Sequence, residues 1–175
     1  MSEAAWRVRL AGADDVSALA LVGAATFLET FADVLDGDAV IAHCRTAHTA
    51  EAYASYLASG GAAWLGESAN GAPIGFALMT RPALPASLVQ PGDLELKRIY
   101  CLSRFHGTGL GAALMRAAIE QAATQQAHRL LLGVYARNAR AIAFYRRQGF
   151  EPVGERQFAV GDRLYDDVVL ARALV

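Results

Sequence analysis

The chain has 175 residues, 54% of them hydrophobic and 19% charged, enough apolar material to bury a full core and too much for a disordered chain. Sixteen basic residues stand against 17 acidic ones, a net charge of −1, so no global field directs the chain to nucleic acid or to an acidic membrane. No basic-then-apolar leader opens the chain and its longest apolar stretches are interrupted, so a soluble, cytoplasmic protein is expected.

Residues 6–10 alternate apolar side chains with arginine and read as a first strand. Ala13, Asp14 and Asp15 then start a helix in which Val16, Leu19, Ala20, Phe27 and Phe31 recur at helical spacing. A second helical region covers residues 39–58, with a restart signal at Thr49 and a stop at Gly60-Gly61. Strands at 62–67 and 74–80 flank a turn from Ser68 to Pro73, as in a hairpin. After a proline-rich loop, residues 94–102 form a strong strand that runs into a loop at 103–108. Helix follows from Gly109 to about Gln125, then an apolar strand at 130–135 suited to a buried central position. A helix at 138–148 stops at Gly149, and two strands at 152–160 and 164–170 surround the turn Gly161-Asp162. With no repeat and no composition shift, residues 1–175 read as one α/β domain, a mixed sheet flanked by helices.

Chemistry concentrates where the strand ending at Leu102 meets the helix starting at Gly109. Glycines let the backbone approach a ligand, and the open N–H groups and dipole of a helix start favour a phosphate. A Walker loop is absent. The dinucleotide fingerprint GxGxxG/A is matched in spacing by Gly107, Gly109 and Ala112, but that fingerprint wants an acidic residue about 20 positions on. None occurs between Glu120 and Glu151. Cys44 and Cys101 form no CxxC and His43, His48 and His128 show no ligand spacing, so no metal is expected.

Arg104-Phe-His-Gly107-Thr-Gly109 resembles the [RQ]xxGx[GA] pyrophosphate loop of the GNAT superfamily of N-acetyltransferases. Asn138-Ala-Arg-Ala-Ile-Ala-Phe-Tyr145-Arg-Arg-Gln-Gly-Phe150 is similar to its N-x-x-A-x-x-F-Y-x-x-x-G-F segment, in the right order and spacing. The likeness covers residues 74–150 well. It implies the GNAT fold, mostly antiparallel, with acetyl-CoA as co-substrate and a small-molecule amine as acceptor. It allows a homodimer.

Residue by residue, the resemblance implies that Arg104, Phe105, His106, Gly107, Thr108 and Gly109 hold the pyrophosphate. The strand edge at Ile99, Tyr100, Cys101 and Leu102 would pair with the pantetheine arm, and Asn138 and Arg140 would contact the cofactor. Tyr145 would protonate the departing thiolate, and it also fits a core stripe with Ala141 and Ile142. Glu95 would act as base through water, or instead pair with Lys97 or Arg98 on a solvated face. For the acceptor, Phe27, Glu29 and Phe31 are candidates. Residues 26–31 look like a segment of polyamine-acetyltransferase-like members, and Glu29, Asp33, Asp36 and Asp38 would suit a polyamine or solvate a helix face. Two other readings stay open: a non-catalytic acyl-CoA sensor and an acetyltransferase acting on protein or peptide amines.

Overall fold

Alternation along Trp6–Leu10 produces strand β1 of a computed structural model that describes residues 5–174. The turn at Ala13–Asp15 leads into α1 (Val16–Phe31), and the Asp15 carboxylate accepts the Gly12 N–H at 2.8 Å. The expected second helical region is two helices, α2 (Gly37–Ala47) and α3 (Ala50–Ala58). Thr49 separates them in extended conformation, and its Oγ1 accepts the Ala52 N–H at 3.1 Å to cap α3. Strands β2 (Ala62–Ser68), β3 (Pro73–Thr80) and β4 (Leu94–Cys101) follow, then α4 (Leu110–Thr124) and β5 (Arg129–Tyr135). Helix α5 (Ala139–Arg147) precedes the final hairpin of β6 (Glu151–Val160) and β7 (Arg163–Ala173).

The seven strands form one sheet in the order β1-β2-β3-β4-β5-β7-β6. Every neighbouring pair is antiparallel except β4 and β5. One face carries α4, whose Leu110, Leu114 and Met115 pack on Leu96 and Leu130. The other carries α1 and α3, whose Leu19, Val22 and Tyr53 pack on Leu65, Phe76 and Leu78. Each large side chain so buried contributes roughly 1.5–3 kcal/mol of transfer free energy, which fixes both helical layers against the sheet.

Two irregularities open the middle of that sheet. In β4 the register against β3 slips between Leu78 and Met79, so Lys97 is an extra residue and the strand bends there. On its other side β4 meets β5 only at Leu94↔Leu130 and Glu95↔Leu131. Beyond Glu95 the two strands part. The tip of the β6–β7 hairpin then reaches α2, where a Cβ on Gly161 would sit 3.2 Å from that of Ala39. Among the described residues no helix is long and apolar enough to cross a membrane.

Candidate active site

The Leu102 N–H donates to the Ile74 carbonyl at 2.9 Å, toward β3. Strand alternation therefore turns the Tyr100 N–H the same way and leaves the Ile99 and Cys101 N–H groups facing the gap beyond β5's last pair. That exposed edge is a template for an extended, amide-bearing chain. The gap belongs to one continuous cavity of about 910 Å³. Its α4 side is lined by Phe105, His106, Gly107, Gly109, Asn138 and Arg140, and its α1 side by Phe27, Phe31, His43 and His48.

The glycine turn has the conformation that its sequence requires. Gly107 has φ 76° and Gly109, immediately before α4, has φ 89°, a region that an L side chain enters only with strain. The first N–H groups of α4 are thus left open toward the cavity. Several side chains brace the turn. His106 Nε2 lies 2.9 Å from the Cys101 carbonyl and donates to it, and Thr108 Oγ1 donates to the Phe105 carbonyl at 2.7 Å. Arg104 is exposed, stacks its guanidinium over Phe105 at 5.7 Å, and is outside the cavity lining, as are Thr108 and Leu102.

Glu29 also braces the turn. Its two carboxylate oxygens accept the Ser103 N–H at 2.8 Å and the Ser103 hydroxyl at 2.6 Å. Those bonds, with the hydroxyl's first, hold its pKa below the ordinary glutamate value. The acidic cluster expected to receive a cationic acceptor is therefore dispersed: Glu29 ties α1 to the loop, Asp36 faces Arg163 at 3.5 Å, and Asp33 and Asp38 are exposed.

Tyr145 is buried on α5 with its ring edge against Phe144 and Phe150, yet it lines the cavity. Burial, then the neighbouring Tyr100 and Cys101, push its pKa well above that of a free phenol. It stands in the site as a neutral O–H donor. Burial also lifts the Cys101 thiol to about 12, so Cys101 carries no thiolate at neutral pH. Asn138 Oδ1 accepts the Ala141 N–H at 3.1 Å, so the helix-capping role is realised at the cavity wall.

Glu95 is not on a solvated face and pairs with neither Lys97 nor Arg98. It is 1% exposed, its Oε2 accepts the Ala83 N–H at 2.7 Å, and its Oε1 lies 4.0 Å from Arg156 Nη1. The guanidinium of Arg156 also donates from Nε to Asp167 at 3.1 Å, linking two carboxylates across the sheet. Asp167 is 6% exposed, and burial raises its pKa against the pull of Arg156.

The sequence carries no signal that marks Arg156 and Asp167 as site residues, and it shows His43 and His48 only as histidines without metal-ligand spacing. Arg156 and Asp167 are cross-strand partners, and counting back evenly from the Gly161-Asp162 turn pairs them. Nothing in the chain shows that they reach Glu95. Phe27 and Phe31 are core and wall together: Phe27 stacks on His43 at 4.3 Å and meets Phe31 at 4.7 Å.

A sheet split in its parallel step, floored by a buried tyrosine and flanked by the open start of a helix, defines an α/β protein whose cleft is shaped for an extended, phosphate-bearing ligand. The family model described as Acetyltransferase (GNAT) family matches residues 27–150. An N-acetyltransferase of Mycobacterium tuberculosis is 32% identical over 92% of this chain and 99% of its own. The fold is similar to that of PaiA N-acetyltransferase from Thermoplasma acidophilum in complex with coenzyme A, with TM-score 0.77, 17% identity and 99% of both chains covered. YncA from Salmonella typhimurium with acetyl-CoA is similar at TM-score 0.70 and 20% identity, over 98% of this chain and 95% of that one. The chain belongs to the GNAT family of acetyltransferases and is an N-acetyltransferase.

Proposed function

We propose that the protein transfers the acetyl group of acetyl-CoA directly to a primary amine of a small molecule. The observation that carries this reading is the β4–β5 gap, where the unpaired edge at Ile99 and Cys101 runs beside Tyr145. The residues fit the co-substrate along its length. Open N–H groups from Gly107 to the start of α4 suit a pyrophosphate, the β4 edge suits the amide groups of a pantetheine arm, and Asn138 and Arg140 flank it.

Acetyl-CoA supplies the acyl group as an activated thioester. As the C–N bond forms and the C–S bond breaks, an ammonium acceptor must give up two protons, one ending on sulfur and one in solvent. The Ile99 N–H polarises the thioester carbonyl, and Tyr145 O–H delivers a proton to the thiolate. An amine with a pKa near 10.4 does not lose its proton directly to a carboxylate, so water relays it toward Glu95 and Asp167. Arg156 holds those two groups in place. The α1-side cavity is closed by α2 and the β6–β7 tip, which favours a small acceptor over a folded protein surface. Of the acidic residues from Glu29 to Asp38 that would suit a polyamine, Glu29 alone is in the cavity lining, where its carboxylate is bonded to Ser103.

Free-thiol release from acetyl-CoA, measured across a panel of small amines and short peptides, tests this. Release that depends on an added small amine is the expected result. Silence across the panel with calorimetric CoA binding intact would point to an acyl-CoA sensor or a protein acceptor. Absence of CoA binding would end the reading.

A further inference from the structure

Lys97 and Arg98 both line the acceptor side of the cavity, and among the described residues neither pairs with a carboxylate. Their contacts are neutral instead. Arg98 donates from Nη1 to the Ala47 carbonyl at 3.1 Å and lies 5.4 Å from the ring centres of both Tyr53 and Tyr56. Lys97 Nζ lies 5.7 Å from the Tyr56 ring. A guanidinium held this way has its direction fixed by stacking while its charge is left for something else.

Beside it sits the other half of the observation. His48 lines the cavity and is 6% exposed; its Nδ1 is 2.9 Å from the Tyr53 hydroxyl, and its Nε2 is buried with no partner among the described residues. A buried polar atom left unpaired is costly, so an orphan of this kind points to a ligand atom. Where the Tyr53 hydroxyl donates to His48 Nδ1, the neutral ring carries its proton on Nε2. His48 and a guanidinium without a carboxylate partner thus both belong to the cavity lining. The carboxylates Glu95 and Asp167 stand on another part of the same wall, neutralised in part by Arg156. The stacked pair Phe27 and His43 lies next to His48 in the cavity lining.

Resting on the acetyltransferase reading above, we propose that the acceptor is an amino carboxylate with an aromatic or bulky apolar body. Its carboxylate is received by Arg98 and His48 Nε2–H, its body lies on Phe27 and His43, and its amine points into the β4–β5 gap. Two charge-assisted donors make the carboxylate a requirement of binding.

The test uses matched acceptors: L-phenylalanine and L-leucine, each with its carboxamide and its decarboxylated amine, followed by thiol release. The amino acids should exceed their uncharged partners in kcat/KM by about ten- to a hundredfold. Arg98→Gln should bring that ratio near one and Arg98→Lys should restore part of it, with CoA affinity by calorimetry reporting an intact fold. Should Arg98→Gln fail to fold, the wild-type ratio decides alone. Acetylation of the carboxamides or decarboxylated amines as fast as the amino acids overturns this inference and leaves the enzyme reading standing. No acetylation of any amine, with acetyl-CoA bound, removes both.

Discussion

The guanidinium of Arg156 rests on the bare backbone of Gly133, where an added Cβ would lie 2.5 Å from Nη2. β5 carries a glycine at the one point where a β6 side chain must cross it to connect Glu95 on β4 with Asp167 on β7. Gly133→Ala forces the guanidinium to shift away from its position between the two nearly buried carboxylates. Acetylation at saturating acetyl-CoA should fall at least about tenfold, with CoA affinity measured separately because Gly133 also lines the cavity. Steady-state kinetics beside calorimetry checks this. Unchanged kcat/KM would show that the linked carboxylates take no part.

Glu95 can be tested for charge separately from shape. Glu95→Gln keeps an oxygen able to accept the Ala83 N–H bond that the carboxylate accepts at 2.7 Å, but it cannot take up a proton from water. A fall in kcat of about ten- to a hundredfold with a normal melting temperature is expected. Equal loss of melting temperature and activity would make Glu95 a structural anchor of the 81–93 loop.

Tyr145→Phe removes a single oxygen from a ring already fixed between Phe144 and Phe150. The fold and CoA binding should persist, and kcat should drop by roughly a hundredfold or more, the range for a general acid. The raised phenol pKa adds a second expectation. A group protonated past the usual tyrosine range gives no alkaline loss of kcat below about pH 10. A wild-type limb near pH 8 that disappears in the variant would contradict the assignment.

Gly109 ends its turn at φ 89° directly before α4. Space is not the constraint, since a Cβ there would be 3.6 Å from Trp6. Conformation is. Gly109→Ala should cost about 1–2 kcal/mol if the turn is kept. If the turn relaxes instead, its N–H groups are misaimed and the CoA dissociation constant rises. Thermal melting with and without CoA separates these outcomes, and a variant unchanged in both would mean that the turn does not need its left-handed residue.

How far the chain discloses all this depends on whether a feature is local. Apolar periodicity and the glycine, Thr49 and Asn138 signals mark the elements because their causes lie within a few residues. The break of the 39–58 helix at Thr49 was signalled in the same way, by a capping side chain. The cavity is different. The charged neighbours Lys97 and Arg98 leave a solvated Glu95 open beside the catalytic reading, and only the bulge at Lys97 and the arrival of Ala83 decide for burial. The bond of Glu29 to Ser103, 74 positions on, has no signal in the sequence. His48 owes its character to Tyr53 and Arg98, which come together only when α2, α3 and β4 pack.

That packing gives His48 a measurable signature. Burial first, then the charge of Arg98 and the nearby His43, pull its pKa down to about 3, while an unfolded histidine titrates near 6.5. Between those values the unfolded chain takes up a proton that the folded one refuses. The His48 contribution to stability is therefore full above pH 6.5 and declines as the pH falls toward 3. For one imidazole shifted this far the loss by pH 5 is about 2 kcal/mol. His43, lowered to about 4 by burial and Arg98, adds to the same slope. Urea unfolding at pH 7.5 and pH 5.0 should show the wild type losing more stability than His48→Gln, even though the variant starts lower. Equal losses would mean that His48 is protonated as readily in the folded protein as in the unfolded chain, and the neutral Nε2–H donor assigned to it would go with that result.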